Sequence, residues 1–120
     1  MVKEYLEKLI ELINKIYPTK PKNIEISTKH FFSGAAVYAN GKICITLTPV
    51  GLAIKLPEQQ LIKLIREKTA KPLRYFPNGP IKKDYAVFPE SKIKNLLFLK
   101  NLVEISVNYV TNYVKLISSF

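Results

Sequence analysis

Hydrophobic positions near the N-terminus recur at spacings of three and four. Tyr5, Leu6, Leu9, Ile10, Leu12, Ile13 and Ile16 form one stripe, with Lys3, Glu4, Glu7, Lys8 and Glu11 around the rest. That period predicts an amphipathic helix from Val2 to Ile16. Glu4–Lys8 and Glu11–Lys15 are spaced as i,i+4 pairs in the favourable order. Pro18 stops the helix, and Pro21 keeps the next residues extended.

The period then shortens to two. A short strand is expected around Ile24–Ser27. After it, Val37-Tyr38-Ala39 leads into Asn40-Gly41, and Ile43, Ile45 and Leu47 alternate with Lys42, Cys44 and Thr46. Asn-Gly tolerates the positive φ angles of a type I′ turn, so two strands should pair across it. Pro49-Val50-Gly51 predicts a second turn, and Leu52–Leu56 a third strand of that sheet. Pro57-Glu58 opens a helix to about Lys68, with Leu61, Ile62, Leu64 and Ile65 as its buried stripe. Pro72–Phe76 and Lys83–Phe88 read as two more strands around the turn Pro77-Asn78-Gly79-Pro80.

From Pro89 to the C-terminus two patterns compete. Val103, Ile105, Val107 and Tyr109 alternate as in a strand, whereas Ile93, Leu96, Leu97, Leu99, Val103, Val110, Val114 and Ile117 fit helical spacing. Freedom from Gly and Pro over so long a stretch favours one long helix, apolar on more than one face. Such a helix either lies between the sheet and the first helix or offers a face to a second copy. The expected architecture is a single α+β domain over residues 1–120, in the order α-β-β-β-α-β-β-α. An antiparallel sheet of about five strands would carry the long C-terminal helix.

Composition narrows the chemistry. The chain has 120 residues and is 48% hydrophobic, enough to build a core without a metal or disulfide staple. Cys44 is the only cysteine, which excludes an internal disulfide and a paired-cysteine metal site. The first helix is too charged for a signal peptide, and the apolar run Leu96-Leu97-Phe98-Leu99 is too short to span a membrane. These features predict a soluble cytoplasmic protein with no membrane partner.

The net charge is +10, of which residues 1–60 carry +3 and residues 61–120 carry +7. Such an excess suits an anionic partner. Arg66, Lys68, Lys71, Arg74, Lys82 and Lys83 form the candidate nucleic-acid contact, extended by Lys92 and Lys94, with Tyr75, Phe76, Tyr85 and Phe88 interleaved. In a hairpin Arg74 and Phe76 would share a face, as would Lys83 and Tyr85. Cations there could meet phosphates while an exposed aromatic stacked on a base. The competing account is that the aromatics are core and the lysines solvated.

Other chemistry is thin. His30, the only histidine, has Asp84 as its only aspartate partner and is expected on the surface. Cys44 is expected to pack between Ile43 and Ile45. Ser33-Gly34 is half of a phosphate loop without its helix, and reads as a tight bend before a strand. No catalytic residue, cofactor or metal is expected.

In this setting the chain resembles the N-terminal domain of the TfoX family, proteins associated with regulation of competence for DNA transformation. That family carries Phe-Gly-Gly-x-Gly-hydrophobic-Tyr-x-x-Gly, matched here by Phe32, Ser33, Gly34, Ala36, Val37, Tyr38 and Gly41. Leu52, Ala53, Ile54 and Lys55 resemble its Leu-Tyr-Leu-Lys strand; Pro72, Leu73 and Tyr75 resemble its Pro-Phe-x-Tyr strand. Tyr85, Pro89 and Glu90 resemble the start of its last helix. The resemblance spans roughly residues 30 to 115 and departs at two family glycines, here Ser33 and Ala36. It implies an α+β fold like that of secretion chaperones, a helical last element, and no established catalysis. The second domain of longer members is not expected here. The function expected is therefore a non-enzymatic regulatory or adaptor domain that binds another macromolecule, as a homodimer. The alternative is a nucleic-acid-binding protein that uses the basic hairpin.

Overall fold

The computed structural model describes residues 2–74, 76 and 78–118, with the side chains of Val2, Lys3, Glu90 and residues 113–118 excepted. Tyr75 of the basic hairpin, and the Val114 and Ile117 side chains of the helical stripe, lie outside what is described.

The first helix, α1, runs Val2–Ile16 as its periodicity predicts. Leu9, Ile13 and Ile16 are buried, and Lys15 Nζ meets Glu11 Oε1 at 3.3 Å on the exposed side. Six antiparallel strands follow: β1 (Ile26–Phe31), β2 (Gly34–Ala39), β3 (Lys42–Thr48), β4 (Gly51–Lys55), β5 (Lys71–Leu73) and β6 (Lys82–Phe88). They lie in the order β1-β2-β3-β4-β6-β5. Helix α2 (Glu58–Arg66) joins β4 to β5, and α3 (Glu90–Ile93) and α4 (Leu96–Ser118) end the chain.

Three expectations change. The sheet has six strands, because Gly34–Ala39 pairs on both sides and β1 reaches Phe31. Strand β5 stops at Leu73, short of Phe76, where the ladder to β6 slips so that Leu73 faces Lys82. The last element is two helices, not one. Asn95 Oδ1 accepts the Phe98 N–H at 3.1 Å, an N-cap that starts α4 afresh.

Register and burial sort the sheet into two faces. Ala35, Val37, Ile45, Leu52, Ile54, Ala86 and Phe88 share one apolar cluster with Leu9 and Ile13 of α1, Leu64 of α2 and Leu99, Val103 and Val107 of α4. All three long helices therefore cover the same face. Helix α4 lies beside α1 on the sheet and not between it and the sheet. From Lys100 to Asn112 its outward side is polar, with Lys100, Asn101, Glu104, Asn108 and Asn112 exposed. The long helix is thus apolar on one face only over that stretch.

The opposite face is built around small residues. One transverse row reads Lys29, Ala36, Thr46, Ala53, Val87, Lys71. Its centre is closed to water: Ala36 and Ala53 are 0% exposed and Thr46 1%. Around it, Lys29 Nζ lies 5.6 Å from the Tyr38 ring centroid and Lys55 Nζ 6.0 Å from that of Tyr85.

Asn40 and Gly41 form the β2–β3 turn with φ of 51° and 78°. Asn40 also ties the turn to the chain before β1: its N–H donates to the Glu25 carbonyl at 2.8 Å, and its Oδ1 accepts from the Glu25 N–H at 2.8 Å. Two effects can be separated here. Asn40→Gly keeps the left-handed backbone and loses the side-chain acceptor, so about 1 kcal/mol of stability should go. Asn40→Ala loses both and should cost about 2–3 kcal/mol. Urea unfolding of the two variants checks this; a glycine variant as stable as the parent would mean the Glu25 bond contributes nothing.

Candidate nucleic-acid interface

Helix α2 packs along the β5–β6 edge of the sheet, and a groove of about 810 Å³ runs between them. Ile62 and Arg66 of α2 line one side, and Pro72, Ile81, Lys82 and Lys83 the other. Its apolar parts are open to water, with Ile62 47% and Ile81 49% exposed. Two carboxylates, Glu58 and Asp84, also line it.

The β5–β6 loop projects beside the groove. The Gly79 N–H donates to the Phe76 carbonyl at 2.9 Å, and Arg74 Nη1 donates to the Gly79 carbonyl at 2.5 Å. The Phe76 ring lies so close to Gly79 that a Cβ there would sit 2.8 Å from Phe76 Cε2. With this bracing Phe76 stays 59% exposed, an aromatic surface on the loop.

The predicted contact residues therefore divide. Arg66, Lys82 and Lys83 converge on the groove. Arg74 is turned onto the loop's own backbone, and since β5 ends before it, the face it was expected to share with Phe76 does not exist. Lys68 closes α2 with φ of 60°, the left-handed position usually taken by glycine. Its N–H donates to the Ile65 carbonyl at 3.1 Å, so its place is set by the helix end. Lys71 begins β5 opposite Val87, in the row that carries Lys29 at its other end. Sequence reasoning placed Ile62 in the buried stripe of its helix, whereas it is exposed, and did not single out Ile81.

Charge is sorted by element. The strands hold Lys29, Lys42, Lys55, Lys71, Lys82 and Lys83 but only one carboxylate, Asp84; the other acidic residues lie on helices and loops. The sheet is thus the positive part of the molecule.

The remaining candidates are structural. His30 is exposed near the end of edge strand β1, four strands from Asp84, so the two do not pair. Cys44 is 0% exposed and its thiol donates to the Val37 carbonyl at 3.4 Å. Burial pushes this thiol up to about 12, outweighing the opposing pull of Lys55 and Ser106. It is therefore protonated and not activated. Gly34 opens β2 directly after the Phe32-Ser33 turn, the tight bend expected there. Neither Ser33 nor Ala36 has positive φ, so the departures from the family glycines need no glycine backbone. Among the described residues no three His, Cys, Asp or Glu are grouped to hold a metal, and no helix is long and apolar enough to cross a membrane.

No protein-family model and no curated protein matches the chain.

Proposed function

We propose that the chain is a cytoplasmic regulatory or adaptor domain without catalytic chemistry, and that it works by holding a nucleic acid at its α2–β6 edge. The observation that carries this reading is that Arg66, Lys82 and Lys83 line one open groove, with Phe76 exposed on the loop that leads into β6. The cations meet phosphates, and the ring offers a stacking face that tolerates any base. The resemblance of residues 30 to 115 to the TfoX N-terminal domain supports the regulatory part of the reading.

Fluorescence anisotropy with a labelled oligonucleotide, titrated across salt concentrations, tests it. Three phosphate contacts should give a log–log salt slope of roughly −2 to −3. Converting Arg66, Lys82 and Lys83 together to alanine should flatten that slope towards zero and weaken binding at least about tenfold at low salt. Phe76→Ala should weaken binding with the slope unchanged. Absence of binding at low salt, or a triple variant that binds like the parent, overturns the reading.

A further inference from the structure

The end of the sheet that carries the β1–β2 and β3–β4 turns holds a second groove, of about 750 Å³. Its walls are Tyr5 and Leu12 of α1, Leu47 and Leu52 of β3 and β4, and Ile93 and Leu96 at the α3–α4 break. At its rim Glu11 is engaged by Lys15 at 3.3 Å, beside Lys8 and Lys94. The same end carries the two most exposed large hydrophobic side chains among the described residues. Leu97, next to Leu96, is 80% exposed, and Phe32, on the β1–β2 turn, 82%. The strand order places both turns at one end, and the backbone at Gly34 lies against Thr48 beside the groove.

We propose that this end is a homodimer interface, in which a two-fold axis lets Leu97 and Phe32 of each copy enter the groove of the other. Protrusion and cavity of one character on one patch are what a self-complementary, isologous contact needs. The areas agree. At about 150–250 Å² for a large side chain, Phe32, Leu97 and the open part of Leu96 offer on the order of 400 Å². The groove walls that receive their counterparts add about half as much. Each copy then buries roughly 600 Å², about 1,200 Å² for the pair, which reaches the lower bound of a specific interface. The contact lies at the start of α4, not along the middle of the helix, whose outward side is polar.

The charge sign distinguishes this contact from the nucleic-acid reading. Two chains of +10 repel, so added salt should tighten the dimer while it loosens a phosphate contact. Sedimentation equilibrium of the full chain at micromolar concentration should give twice 13.7 kDa. Leu97→Glu and, separately, Leu97→Ala and Phe32→Glu should each weaken the dimer about 30-fold or more, with unchanged circular dichroism. Ile62→Glu, in the other groove, should leave it intact. A monomer in the parent protein overturns the proposal. So does a dimer that ignores the Leu97 and Phe32 variants, or one that Ile62→Glu abolishes.

Discussion

Replacing Gly34 with alanine should cost about 3 kcal/mol or more of folding stability and lower the melting temperature by about 10 °C or more. The reason is a backbone contact. A Cβ at this position would overlap the Leu47 carbonyl oxygen and sit 2.9 Å from Thr48 Cα. Gly34 does not have positive φ, so alanine is acceptable locally and the whole effect comes from the neighbouring strand. Relief requires β2 to move away from β3, yet Ala35 pairs with Leu47 in the middle of the sheet, and Ala35 and Val37 beside it are fully packed. Gly41→Ala is the matched control. Nothing lies within 4 Å of a Cβ there, and only the φ of 78° is strained, so about 1–2 kcal/mol is expected. Urea unfolding of both variants gives the comparison. If Gly34→Ala is no worse than Gly41→Ala, the close approach of β2 to β3 is wrong.

Much of the fold was legible because the local signals were strong. The three-and-four spacing of Leu6, Leu9, Ile13 and Ile16 marked α1 end to end, since its charged residues all fall off the buried stripe. Asn40-Gly41 announced the central hairpin because few other pairs tolerate φ of 51° and 78° in succession. Where the reading failed, the residues gave the wrong local cue. The tight bend is expected at Ser33-Gly34, but the expected strand stops short of it, because Phe32, at φ of 49°, occupies a position usually taken by glycine and asparagine. Asn95 lies in a stretch without Gly or Pro whose helical spacing looks continuous, and its capping bond to Phe98 shows the break. Strand β5 contains Pro72, which suits the edge it occupies, but nothing in Leu73-Arg74 signals that pairing ends there.

The candidate interface was legible as a charge count and not as a place. Residues 66 to 83 are close in sequence, and that proximity misleads. Arg66 and Lys82 line the same groove because α2 and β6 pack side by side. Lys68, two residues from Arg66, is instead fixed by a helix end that lacks the usual glycine. Arg74 had an equal claim from charge, but the Gly79 carbonyl holds it. Sequence can say how many cations a segment has; only the packing of α2 on β6 decides which of them point at the same ligand.

Cys44 should react with a thiol reagent at pH 8 about a thousand times more slowly in the folded protein than in the unfolded chain. The attacking species is the thiolate. Burial lifts the thiol from 9.0 to about 12, which cuts the thiolate fraction at pH 8 by about three powers of ten. The cause is burial: the side chain is 0% exposed, which outweighs the lowering by Lys55 and Ser106. Labelling should therefore track unfolding and accelerate with urea in step with loss of structure. The same shift has a consequence for stability. Below pH 9 the thiol is neutral in both states and costs nothing. Between pH 9 and 12 the unfolded chain gives up the proton and the folded chain does not, so stability falls as pH rises. Tyr17, raised to about 12 by burial and then by the charges of Glu104 and Cys44, acts in the same direction. Urea unfolding at pH 8 and at about pH 10.5 should show this alkaline loss in the parent protein, with a shallower fall in Cys44→Ala. Rapid labelling of Cys44 at pH 8 without denaturant would mean that the β3 centre opens on its own, and would remove the basis for both expectations.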